Sequence, residues 1–90
     1  MSIHLFKTGR TVATRGVAAE LTALQMQQLL FRHTTGDWLE LSEDDREQNR
    51  LAVKNGLRIL SSYAITADLT VWVITEWDRS VTTLLLPSEY

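Results

Sequence analysis

The chain of 90 residues contains no cysteine, so it has neither a disulfide framework nor thiolate ligands for a metal. A reducing cytoplasm is the setting that suits this composition. No apolar run approaches the roughly 18 residues of a membrane span, and the N-terminal MSIHLFKTGR lacks the basic and apolar regions of a secretory leader. Export and membrane insertion are therefore not expected. Repeats, low-complexity tracts and linkers are missing too, and a chain of this length closes around one modest core, a single domain over residues 1–90. Positive charge is short: nine Lys and Arg against eleven Asp and Glu give a formal net charge of −2, the wrong sign for wholesale phosphate binding. Its two histidines, His4 and His33, have no ligand spacing, so neither a metal nor another cofactor is expected.

The charge that is present is unevenly placed. Lys7, Arg10 and Arg15 make the first sixteen residues basic with no acid, whereas Glu40, Glu43, Asp44, Asp45 and Glu47 form an acidic block. The plain reading is two solvated faces. Between Gly9 and Gly16, TVATR alternates like a short edge strand. Apolar residues then recur at helical spacing, at Val17, Leu21 and Leu24 and again at Met26, Leu29 and Leu30 with His33; a phase slip near Gln25 predicts one bent helix or two. Thr22 and Gln25 make a capping-box pattern, which favours a new helix after Thr22. TTGDWLEL reads as a loop turning on a left-handed Gly36. Ser42 then caps a helix with Glu43, Asp44 and Asp45 in its first turn and an ending at Asn55-Gly56.

Beyond Gly56 the period changes to that of strands. LRILSSYAI, LTVWVIT and SVTTLLL are separated by short polar breaks, which predicts antiparallel neighbours. LTVWVIT is apolar on both alternations and so reads as the central strand. The fold class expected is α+β: two or three helices, near residues 17–33 and 43–54, packed on a mainly antiparallel sheet of three or four strands. Its predicted interior includes Leu29, Leu30, Leu60, Trp72, Ile74 and Leu84. Helices can cover only one face of such a sheet, so the other stays partly exposed or meets a partner, a homodimer being one expectation.

TVATRGV, RHTTGDWLEL, the SEDDREQN helix, RILSSY and VWVITEWDRSVTTLLLPSEY together resemble a family of small bacterial proteins carried on plasmids and other mobile elements. The resemblance runs through most of the chain, and its most specific part is T-E-W-D-R-S-V-T-T-L-L-L-P. Leu39 stands where that family tends to have glycine, and Arg15 where it tends to have proline. What the resemblance implies is a genetic setting and an architecture, with no chemistry attached.

Candidate site residues fall in two groups. His33, at the end of an amphipathic helix, reads first as a half-buried capping histidine; the functional alternative has Asp37 orienting its imidazole as an acid or base. Trp38 reads first as a core plug at the helix–sheet junction and second as a binding residue. The other group is the T-E-W-D-R-S turn. Arg79 there is expected to place its fork on a carboxylate, Asp78 or Asp37, or to hold an anion, while Thr75 and Ser80 bond unpaired backbone groups. Trp77 has little local reason to lie in a turn. An exposed tryptophan beside an arginine has the composition of an interface hot spot, so Trp77 and Arg79 are the expected contact residues.

Two functions fit these observations. A non-catalytic accessory protein of a mobile element, acting by binding another protein in counter-defence or plasmid maintenance, accords with the small size and acidity. The other is a small RNA-binding or RNA-cleaving module, metal-independent, because helices followed by an antiparallel sheet resemble the toxin ribonucleases related to RelE and barnase. On that resemblance Arg58, Arg79, Ser80 and Thr82 hold phosphate and His33 moves the proton. The acidic balance counts against it, and a nucleic-acid partner is not favoured.

Overall fold

Three helices begin where a hydroxyl can take up a free amide. In the computed structural model, which describes residues 3–90, Thr14 caps α1 (Arg15–Glu20), Thr22 caps α2 (Ala23–Thr34) and Ser42 caps α3 (Glu43–Asn55). The phase slip is a true break: Leu21 is extended, and the capping box closes with Thr22 N to Gln25 Oε1 at 2.8 Å and Gln25 N to Thr22 Oγ1 at 3.1 Å. Arg15 takes the first position of α1, one that a proline also suits. At the end of α3, Gly56 adopts the left-handed conformation with φ 66°.

Four strands follow the α+β expectation. They are β1 (Arg10–Ala13), β2 (Ile59–Thr66), β3 (Leu69–Thr75) and β4 (Val81–Leu85), laid side by side in the order β1-β4-β3-β2. The last three form an antiparallel meander with β3 inside. β1 is an edge strand, but it runs parallel to β4, with Arg10 opposite Val81 and Ala13 opposite Leu84. Gly9 makes that approach possible: it sits at φ 62°, and a Cβ there would run into the carbonyl oxygens of Arg79 and Ser80.

Register divides the sheet into two faces. Ile59, Ser61 and Tyr63 share one with Val71, Val73, Thr75, Thr82 and Leu84. On this inner face Val17 and Leu29 from the helices, with Leu21 at the break between α1 and α2, close the main core, while Trp38 and Ala52 pack on Ile59 in a second cluster. The outer face carries Leu60, Trp72, Ile74 and Leu85. Ile74 and Leu85 are buried among their neighbours, but Leu60 and Trp72 are only half-buried, contrary to the sequence expectation, since the residues of both core clusters lie on the inner face. The C-terminal turn Pro87–Glu89 supplies partial cover instead: Tyr90 meets Trp72 edge-on at 5.6 Å and is held by Arg58 Nη2 at 2.7 Å. Leu30 is likewise half-buried, at the rim of the main core.

The β2 edge is partly covered. Asn49 of α3 donates to the Leu60 carbonyl at 2.7 Å and accepts from the Leu60 amide at 3.2 Å, and Glu40 accepts from the Ala64 amide at 2.8 Å. These bonds occupy outward-facing groups on which another strand could otherwise pair.

Candidate functional site

His33 is fully buried and makes two side-chain bonds across the core. Its Nδ1 lies 2.5 Å from Ser61 Oγ on β2 and its Nε2 lies 2.8 Å from Thr75 Oγ1 on β3. Thr75 continues to Thr82 Oγ1 at 2.7 Å, and Thr82 donates to the Thr8 carbonyl at 2.8 Å. The last bond fixes every proton before it. Since Thr82 spends its only hydrogen on Thr8, Thr75 must donate to Thr82; the imidazole must then donate from Nε2, and Ser61 must donate to Nδ1. Burial, with a smaller contribution from the Arg79 cation, pushes the ring's pKa down from 6.5 to about 3. The imidazole is therefore neutral at physiological pH and in one tautomer. Phe6 closes it off with an edge-on contact at 5.1 Å. This is a cross-strand strut, not the half-buried cap expected at a helix end.

Asp37 does not orient that ring. It accepts from Arg32 Nε at 2.7 Å, while Glu40 takes Arg32 Nη2 at 3.1 Å. The Arg32 guanidinium also lies over the Tyr63 ring at 4.4 Å, and the Tyr63 hydroxyl donates to the Asp37 carbonyl at 2.9 Å. Burial raises the Tyr63 pKa to about 12, against the opposing effect of Ser61 and Arg32. Trp38 is buried and donates from Nε1 to the His33 carbonyl at 3.2 Å. It is a core plug, and burial removes it from the contact residues.

The T-E-W-D-R-S segment is a hairpin corner. Arg79 N bonds the Glu76 carbonyl at 3.0 Å and Glu76 N bonds the Val81 carbonyl at 3.0 Å. Ser80 gives its amide to Asp78 Oδ1 at 3.1 Å and its hydroxyl to the same oxygen at 2.6 Å, which holds the Asp78 pKa below its ordinary value. Arg79 is the one described non-glycine residue at positive φ, 60°. Its fork finds no carboxylate. Nη1 donates to the carbonyls of Leu57, Glu76 and Trp77 at 2.6, 3.1 and 3.2 Å, and Nη2 to that of Ala52 at 2.9 Å. A cation here answers the negative end of α3 as well as the turn itself. Thr75 and Ser80 likewise have side-chain partners, His33 with Thr82 and Asp78, in place of the backbone groups expected.

Trp77 stands out from this corner at 65% exposure, and Leu57 is 51% exposed. Their carbonyls converge on one guanidinium nitrogen, which brings the two chain segments together. Among the described residues, nothing stacks on the Trp77 ring or hydrogen-bonds to it.

The proposed phosphate-holding set does not assemble. Arg58 is bound to Tyr90, Arg79 to carbonyls and Ser80 to Asp78, and Thr82 is buried. A surface depression of about 500 Å3 along residues 4–9 and Thr34 has Lys7 as its one Lys or Arg. Among the described residues no group of three or more His, Asp or Glu side chains is arranged to hold a metal ion, and no helix is long and apolar enough to cross a membrane. Compared with known families, curated proteins and solved structures, the chain matches none.

Proposed function

We propose that the chain is a non-catalytic accessory protein that works by binding another protein, with Trp77 as the anchor of its contact surface. The observation that carries this reading is a large exposed ring on a rigid mount. Four guanidinium–carbonyl bonds fix the turn that bears Trp77, so little conformational freedom is lost when the ring is buried by a partner. Leu57, on the segment tied to the same guanidinium, adds exposed apolar area, and Arg79 supplies the tryptophan–arginine pairing common at the centres of interfaces. The resemblance to plasmid-borne proteins supplies the proposed setting, a bacterial mobile element.

The RNA-cleaving alternative needs a histidine that reaches substrate, and His33 is sealed beneath Phe6. A photo-crosslinker in place of Trp77, expressed in the bacterial host, tests the proposal. One stoichiometric adduct is expected, and association of the same protein should fail with Trp77→Ala while the fold persists. A second copy of this chain as the adduct would make the surface a dimer interface. Normal association of Trp77→Ala would remove the proposal.

A further inference from the structure

The two edges of the sheet are treated differently. The β2 edge is partly covered by Asn49 and Glu40, but β1 has no such cover among the described residues. Arg10 N bonds the Ser80 carbonyl and Thr14 N the Leu84 carbonyl, so the even positions of β1 face β4. By alternation, the amides and carbonyls of Thr11 and Ala13 point away from the sheet, and both residues are exposed. Beside this edge runs a groove of about 210 Å3 between β1 and α2, lined by Thr11, Ala13, Ala23, Met26, Leu30 and Leu84 with no charged residue in its lining.

The two faces of the edge differ in character. Thr11 and Ala13 register with Thr82 and Leu84 on the helix side, where the groove lies; Arg10 and Val12 register with Val81 and Thr83 on the other. Lys7, Arg10 and Arg15 flank the strand, and none of the three forms an ion pair among the described residues; the one carboxylate beside it, Glu89, is taken up by the Thr14 hydroxyl and the Gly16 amide beyond its end. We propose that the β1 edge and its groove take up an extended acidic segment of a partner protein as a fifth strand. Its alternate apolar side chains enter the groove beside Met26 and Leu30, and its carboxylates lie on the side of Arg10.

Charge selects this occupant over a second copy, since edge-to-edge pairing of two β1 strands would bring two sets of the same three cations together. It also suits a peptide better than nucleic acid, because the exposed backbone offers donors and acceptors in the spacing of a strand. This surface is separate from the Trp77 reading and stands or fails without it.

The test uses the full chain and a capped peptide of alternating valine and glutamate, read by fluorescence anisotropy and amide hydrogen exchange. Saturable binding is expected, with new protection at the Thr11 and Ala13 amides. A peptide of alternating valine and lysine should bind at least about tenfold more weakly. Ala13→Pro removes one outward amide while leaving the bonds to β4 in place, and should weaken binding about tenfold; Arg10→Glu should reverse the preference between the two peptides. Binding without protection at Thr11 and Ala13, equal affinity for both peptides, or a preference for a single-stranded oligonucleotide would overturn the proposal. So would self-association that masks the same amides in the free chain. Trp77→Ala should leave this binding unchanged, so a failure here and a failure at the hairpin corner are told apart.

Discussion

Arg79 Nη2 lies 2.9 Å from the Ala52 carbonyl oxygen, which ties the tip of the β3–β4 hairpin to the last turn of α3. The same residue holds a backbone conformation that costs a side-chain-bearing residue about 1–2 kcal/mol, so the bonds must outweigh the strain.

Removing the guanidinium should cost about 2–3 kcal/mol of stability. Arg79→Gly should lose about 1 kcal/mol less than Arg79→Ala, because glycine accepts positive φ and alanine does not. Urea unfolding of both variants gives the order, and an alanine variant at least as stable as the glycine one would contradict the account.

Thr82→Val keeps the shape of the strut and cuts it in two, leaving the Thr8 carbonyl and the Thr75 hydroxyl without their partner. A loss of about 1–3 kcal/mol is expected. Nitrogen NMR of the wild-type imidazole should independently show the proton on Nε2 and a bare Nδ1; the opposite tautomer would break the chain of donors.

Acid should destabilise the fold through His33. In the folded chain the ring takes up a proton only near pH 3, but in the unfolded chain it does so near 6.5. Between those values the unfolded state holds more protons. Stability is therefore full above pH 6.5 and declines as pH falls toward 3, by roughly 4 kcal/mol in total. The decline should begin above the carboxylate range, at pH 6.5 to 5. Flat urea midpoints across that interval would show that the ring is not the titrating group.

The three tryptophans should separate by quenching. Trp38 is 3% exposed, Trp72 is half-buried behind Tyr90, and Trp77 is 65% exposed. Acrylamide should quench the wild-type emission strongly and the Trp77→Phe variant only weakly, with thermal stability changed by less than about 0.5 kcal/mol. A large stability loss in that variant would place the ring in the core.

Local chemistry made the helices legible: Thr22 with Gln25, Ser42 ahead of three acids, and Gly56 each act on backbone groups within a few residues. The meander was legible for the same reason, from short polar breaks between β-rich runs. Trp38 and the exposed Trp77 also follow from sequence, one because a small core uses its large rings and the other because a turn leaves a ring outside. The partners of His33 and Arg79 could not be read that way. Ser61, Thr75, Ala52 and Leu57 lie far along the chain, and threonine in a strand is ordinary, so nothing local marks it as a link in a buried strut. Strand alternation carries no direction either, which left the parallel pairing of β1 unseen. Tyr63 and Val17, both fully buried, lie outside the expected interior, which draws on the more numerous leucines.

Among the described residues β1 pairs with β4 and with no other strand, so the sheet is completed by joining residues 10–13 to residues 81–84. The helices and the β2–β3 hairpin rest on contacts close in sequence and can form early, whereas the β1–β4 pairing closes a loop that holds nearly all the other elements. Closing so long a loop is slow relative to the local steps. Each folding molecule thus passes through an interval in which both sides of β1 are open, and the arrival of β4 sets the moment at which that interval ends.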